Sequence, residues 1–162
     1  MRIRPARKSD VSELARLWLE FGTYYAELDP ERFKAPSTNG LENWIEDGLH
    51  RPSEHWLVAE IDGQIAGYAV GTLSDPHPQA DFKMLTDAEA TRLGINVVQT
   101  SELHRRKGVA TALIQALESW GAGQGAKIVL AETDSHSPVA IPFWENADGY
   151  ERTSVRFRRR LG

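Results

Sequence analysis

Apolar positions along the chain alternate between a period of two and a period near 3.6, and the changes of period mark its elements. Ile3 between Arg2 and Arg4 opens a short strand closed by Pro5. Val11, Leu14, Leu17, Trp18 and Phe21 then keep one face at helical spacing, so a helix is expected there, ending near Gly22. Ser9 or Asp10 can cap it, with Glu13 spaced for a capping box after Asp10. Leu41, Trp44 and Ile45 predict a second helix, stopped by Gly48. Residues 56–61 and 64–72 read as strands joined by Asp62-Gly63, the strongest hairpin signal in the chain, with Gly67 and Gly71 marking bends or close backbone approach. From Ser74 through Glu89 the pattern is that of a loop containing Pro76 and Pro78.

A β-branched apolar run over residues 93–100 predicts another strand, and Val109, Leu113, Leu117 and Trp120 share one face of the helix after it. Gly121, Gly123 and Gly125 end that helix. Residues 127–133 read as a buried strand and 139–146 as a short helix behind Pro138. Residues 150–152 and 153–161 close the chain as strands or a hairpin. Neither repeat nor linker interrupts the sequence, so one domain over residues 1–162 is expected.

Composition narrows the classes. A chain of 162 residues with 41% hydrophobic and 26% charged positions has the make-up of a globular protein with a sizeable core. It has no cysteine, so disulfides, a thiolate nucleophile and cysteine metal sites are excluded. That composition fits a reducing compartment, and a cytoplasmic location is the expectation. The start, Met1-Arg2-Ile3-Arg4-Pro5, lacks the apolar run of a signal peptide, and no stretch resembles a membrane span. A net charge of -4 and a pI near 5.7 disfavour nucleic acid as a partner. The basic end, Arg156-Phe157-Arg158-Arg159-Arg160, alternates like a strand with solvated charges. His, Asp and Glu nowhere take metal-ligand spacing, so no metal is expected.

The chemistry concentrates between the strand at 93–100 and the following helix, at His104-Arg105-Arg106-Lys107-Gly108-Val109-Ala110-Thr111. The first N–H groups of a helix have no internal partner, and with the helix dipole they form an anion site. Gly108 allows a phosphate oxygen close approach, Ala110 keeps the next position small, and Arg105, Arg106 and Lys107 add positive charge. A phosphorylated ligand is one reading, and a solvated basic turn is the other. A second feature is the aromatic, acidic stretch that includes Glu20, Tyr24, Tyr25, Glu27, Asp29, Glu31, Phe33, Glu42, Glu46 and Asp47. It reads either as solvated helix faces or as a rim that attracts a cationic substrate. Tyr24, Tyr25 and Glu27 are the candidate substrate contacts.

A hairpin, a strand, a basic glycine turn, a helix, a strand, a short helix and a final strand pair form an order that resembles the GNAT superfamily of acyl-CoA N-acyltransferases. Arg105-Arg106-Lys107-Gly108-Val109-Ala110 fits that family's (Gln/Arg)-x-x-Gly-x-(Gly/Ala) pyrophosphate motif. Residues 57–67 resemble its central hairpin, and residues 140–150, with Phe143, Trp144, Gly149 and Tyr150, resemble its last helix and the aromatic and Gly-aromatic pattern there. The resemblance implies an α+β, three-layer fold with a mixed, mostly antiparallel central sheet flanked by helices. It implies acetyl-CoA or another acyl-CoA as the ligand. The N–H groups of Arg106, Lys107, Gly108, Val109, Ala110 and Thr111 would surround the pyrophosphate, beside Arg105. The strand edge at Val98, Gln99 and Thr100 would pair with the pantetheine arm, and an N–H there would stabilise the oxyanion as an amine attacks.

Three positions depart from the family's pattern, one of them Asn96, which stands where some relatives carry a carboxylate that could act as base. Ser137 stands where the last helix often opens with Asn, and still offers a hydrogen bond to the donor. Trp144 stands where a Tyr often protonates the leaving thiolate, and indole cannot act as an acid. Trp144 is otherwise a core or CoA-packing aromatic. Glu132 and Asp134 are the nearest acids able to act as a base through water; their plainer reading is a solvated strand-end acid or, for Asp134, a helix cap. The resemblance, together with the acidic, aromatic segment from Glu20 to Asp47, points to an N-acetyltransferase acting on the primary amine of a small cationic molecule. The alternatives are a protein or peptide N-acetyltransferase and a non-catalytic acyl-CoA-binding regulatory module. The oligomeric state stays open, a homodimer included.

Overall fold

The computed structural model describes residues 1–161. The chain divides into two compact units, one of residues 1–132 and one that begins at Thr133. The first holds a five-stranded sheet in which the strands lie in sequence order: β1 (Arg2–Pro5), β2 (Glu54–Ile61), β3 (Gln64–Ser74), β4 (Arg92–Thr100) and β5 (Ile128–Ala131). The first three pairings are antiparallel and β4 pairs with β5 in parallel, so the sheet is mixed, as expected. A parallel pair needs a crossover, which is α3 (Val109–Gly123).

Pleating sends alternate residues to opposite faces. Trp56 and Val58 on β2 and Tyr68 and Val70 on β3 meet Leu14, Leu17, Leu41 and Ile45 from α1 (Val11–Leu28) and α2 (Leu41–Leu49) in one buried cluster. Val109, Leu113 and Leu117 on α3 are buried as well, and Gly71 on β3 lies close to Leu117. Helices therefore cover both faces of the sheet. The expected hairpin turn at Asp62-Gly63 is present, with both residues at positive φ.

Arg4 ties the sheet edge to α1. Its guanidinium donates to both carboxylate oxygens of Asp10, at 2.7 and 3.0 Å, and to Glu60 at 2.9 Å. The hydrogen bonds from Arg4 hold the Asp10 carboxyl below the usual carboxylate range, and Asp10 and then Glu60 push the Arg4 guanidinium up. The expected capping box shifts accordingly. Asp10 accepts from the Arg7 N–H at 2.8 Å, whereas Glu13 turns to Arg16 at 2.7 Å.

Three expectations change. Helix α1 continues past Gly22 to Leu28, because Trp18, Phe21 and Tyr25 carry on its packed face, with ring centroids 5.9 and 4.8 Å apart. Gly22 gives room to the returning chain there; a Cβ would lie 2.2 Å from Pro36 Cδ. The helix stops before Pro30, whose ring disfavours helical geometry at Asp29. Strand β5 is shorter than expected. The closing strands at residues 150–152 and 153–161 do not form among the described residues. Arg-Phe-Arg alternation suits a half-buried strand, but a strand needs a ladder partner and a covered face, and here Val155 and Phe157 are exposed.

Candidate functional site

The site is built from one stretch of chain, the second half of β4 and the turn into α3. β4 pairs with β5 only from Arg92 to Ile95, while its pairing with β3 continues to Thr100. Val70 faces Val97 and Gly71 faces Ile95, so Asn96 is an extra residue, a β-bulge. Past the bulge, the β5-side edge of β4 has no strand beside it in the sheet. Val98, Gln99 and Thr100 lie on that edge. Asn96 is exposed, and its Nδ2 donates to Thr72 Oγ1 at 2.5 Å. Glu132 is exposed one residue past Ala131, the partner of Ile95, and so stands where the two strands part.

Gly67 fixes the end of this edge. A Cβ on it would lie 2.4 Å from the Gln99 carbonyl oxygen, 3.0 Å from Val109 Cγ1 and 3.2 Å from Thr100 Cα. Close approach at Gly67 therefore seats the last turn of β4 and the first residue of α3 together. Ser101 continues the pairing by donating its N–H to Ala66 O at 2.9 Å.

The basic turn is a single 3-10 turn, Glu102–His104, followed by the backbone pattern that opens α3. His104 meets the Ser101 hydroxyl at 2.8 Å, as befits a turn residue. Arg106 has φ of 63° and Gly108 has φ of 76°. At Gly108 the left-handed conformation suits glycine, and a Cβ would meet nothing within 4 Å. The first helical bond runs from the Ala112 N–H to Gly108 O at 3.0 Å. The N–H groups of Arg106, Lys107, Gly108, Val109, Ala110 and Thr111 donate to no other described residue. Arg105, Arg106 and Lys107 are exposed around them. Six successive amides without an internal partner, beside three cations, make an arrangement that can hold a diphosphate.

Tyr24, Tyr25 and Glu27 lie in the last turns of α1 rather than in a loop. Tyr25 packs among Phe21, Tyr24 and Phe33, with centroids 4.8, 5.3 and 5.1 Å away. The Tyr24 hydroxyl is buried with no hydrogen-bond partner among the described residues, and Glu27 is exposed. Glu20 does not join a solvated rim; it accepts from Arg16 at 3.2 Å and from the Glu102 N–H at 3.2 Å. An open cleft of about 600 Å³ is lined by Arg16, Glu20, Gln64, Ser101 and His104, outside the row of free amides.

In the second unit, Asp134 is buried and accepts from the His136 N–H at 2.8 Å. Ser137 is buried and accepts from the N–H of Ala140, the first residue of α4 (Ala140–Glu145), at 3.1 Å. Trp144 is half-buried and packs on Phe143 and Tyr150, at 5.2 and 4.9 Å. Both polar residues thus serve local turns.

Sequence reasoning located the turn and the strand edge but missed the Asn96 bulge and the Glu20 contact. Neither has a local signal, since both depend on a partner distant in sequence. Gly67 carried its signal openly, as a glycine inside a strand. Among the described residues, no group of three His, Cys, Asp or Glu can hold a metal ion, and no helix is long and apolar enough to cross a membrane.

Comparison with known proteins bears on this geometry. The family model described as "Acetyltransferase (GNAT) family" matches residues 14–150. A mutant of the BH1408 protein from Bacillus halodurans is 17% identical, with 99% of each chain covered and a TM-score of 0.88. A transcriptional regulator from Bacillus halodurans C-125 is 18% identical, covering 96% of this chain and 99% of that one, with a TM-score of 0.69. The aminoglycoside acetyltransferase meta-AAC0020 from an uncultured soil metagenomic sample, in complex with sisomicin, is 17% identical, covering 99% of this chain and 96% of that one, with a TM-score of 0.66. At such identities these likenesses show a shared fold. No curated protein matches the chain.

Proposed function

The chain belongs to the GNAT acetyltransferase family, and on that premise we propose that it is an N-acetyltransferase that uses acetyl-CoA to acetylate the primary amine of a small cationic molecule. One observation carries the donor half of this reading. The open edge of β4 beyond Asn96 ends at Thr100, and the free amides of Arg106 to Thr111 follow it after the 3-10 turn at Glu102–His104. An extended pantetheine arm can add to the first part as a strand would, and a pyrophosphate can take the second. Arg105, Arg106 and Lys107 add charge at the phosphate end.

The acceptor half rests on the acidic, aromatic end of α1, where Tyr24 and Tyr25 offer ring faces and Glu27 a carboxylate. The aminoglycoside acetyltransferase of similar fold, in complex with sisomicin, points the same way. In the reaction the amine nitrogen bonds to the thioester carbonyl carbon, and a backbone N–H near Val98–Thr100 stabilises the oxyanion. The C–S bond then breaks and the acetylated amine loses a proton. Glu132, where β4 and β5 part, takes that proton through water. The thiolate is a good leaving group, so no acid is required at Trp144. Asp134 is a second candidate base, and Ser137 a second candidate donor contact, on the family pattern alone.

A thiol-release assay with acetyl-CoA over polyamines, aminoglycosides and amino acids tests the reading, and turnover of at least one amine is expected. Silence across that panel with CoA binding intact would favour a binding module, the reading that the loss of tyrosine at Trp144 recommends. As a second arm, Gly108→Glu places a carboxylate and a strained φ at the amides. CoA affinity measured by calorimetry should fall about tenfold or more, equivalent to about 1.4 kcal/mol; an unchanged value would sink the phosphate assignment.

A further inference from the structure

The turn that presents the amides is under strain and held from only a few points. Arg106 is a non-glycine residue at φ 63°, a conformation that persists only where surrounding contacts determine it. Within the turn, the Arg105 N–H reaches Glu102 O at a long 3.4 Å. Ser101 is fixed to β3 through Ala66, and His104 is fixed to Ser101. Glu102, the first residue of the 3-10 turn, has its N–H bound by the Glu20 carboxylate of α1 at 3.2 Å. Among the described residues, Glu20 is the one side chain outside residues 101–108 hydrogen-bonded to them. The same oxygen lies 3.7 Å from Arg105 Nη2, and its second oxygen takes Arg16 at 3.2 Å.

We propose that Glu20 is a positioning residue for the donor site: it tethers the 102–105 turn to α1 and so sets where the row of free amides begins. This rests on the acyl-CoA reading of that row. A bare carboxylate near a phosphate site would repel the ligand; Arg16 and Arg105 on either side offset its charge, so the tether decides its effect. Because α1 also carries Tyr24 and Tyr25 about one turn further on, the tether joins the donor turn to the proposed acceptor wall.

Two variants separate tether from charge. Glu20→Gln keeps an oxygen that accepts from the Glu102 N–H, and Glu20→Ala does not. With one hydrogen bond lost, Glu20→Ala should bind CoA about fivefold more weakly by calorimetry, with Glu20→Gln within about twofold of wild type. KM for acetyl-CoA should rise in Glu20→Ala while kcat at saturation holds, and hydrogen exchange at the Glu102 amide should quicken in that variant alone. Wild-type affinity in Glu20→Ala, equal losses in both variants, or tighter binding in both overturns the proposal. If the wild type itself gives no heat with CoA, the acyl-CoA reading fails first; exchange at Glu102 in the ligand-free protein then reports separately whether the tether exists.

Discussion

Strand β4 consists of two halves that differ in what their backbones are left to do. From Arg92 to Ile95 it is paired on both edges, and Leu93 and Ile95 are 0% and 5% exposed. From Asn96 to Thr100 it is paired with β3 alone, and Asn96 stands out as a bulge. The first half spends its N–H and C=O groups on the sheet and its side chains on the core. The second keeps one edge of backbone groups available. An exposed edge is a liability for a soluble sheet unless something pairs with it, which is why the open half is where the proposed acyl-CoA would add.

Breaking the closed half should give the largest effect. Leu93→Ala removes a fully buried side chain and should lower unfolding stability by about 2–5 kcal/mol in urea titration. CoA affinity per folded molecule should hold, because the amides lie beyond Thr100. A smaller loss of stability coupled to a large loss of affinity would mean that the halves are not separable. Gly67→Ala attacks the open half from β3. Its Cβ would sit 2.4 Å from the Gln99 carbonyl, so the end of β4 must move. Such overpacking costs about 1–3 kcal/mol. Here affinity should fall along with stability, the opposite pattern to Leu93→Ala, and a variant with wild-type CoA binding would show that the seat at Val109 and Thr100 is immaterial.

The same division explains what was legible in the sequence. Elements set by local rules were readable: the helical face of Val11, Leu14 and Leu17, the Asp62-Gly63 turn, and the strand, basic turn and helix around Gly108. Their determinants lie within a few residues of one another. Gly22 misled because its reason for being glycine is Pro36, fourteen positions on, and not a helix end. The closing Arg156-Phe157-Arg158 pattern misled because alternation specifies a face, while a strand also needs an edge to join. The bulge at Asn96 and the Glu20 tether follow from register and from helix placement, which no window of sequence contains. In the candidate site, the basic turn and the strand before it were therefore visible from sequence, and the Glu20 contact with Glu102 was not.

The smallest expected effect asks what selects the bulge at the junction of the two halves. The Asn96 side chain bonds Thr72 at 2.5 Å across the strand pair, but both groups are exposed. The pairing itself offers a second cause, since Gly71 on β3 lies close to both Leu93 and Leu117, where a larger residue would crowd them. If pairing and packing select the bulge, Asn96→Ala should lose about 0.5–1.5 kcal/mol, the net worth of a hydrogen bond. Cross-strand NMR contacts between Ala69 and Val98, and between Tyr68 and Gln99, should persist. A one-residue slip would send Val97 out of the α1 and α2 cluster and Val98 toward it, because side chains alternate between faces. Observing that slip would show that the Asn96 amide, and not the closed half of β4, sets the register of the open edge.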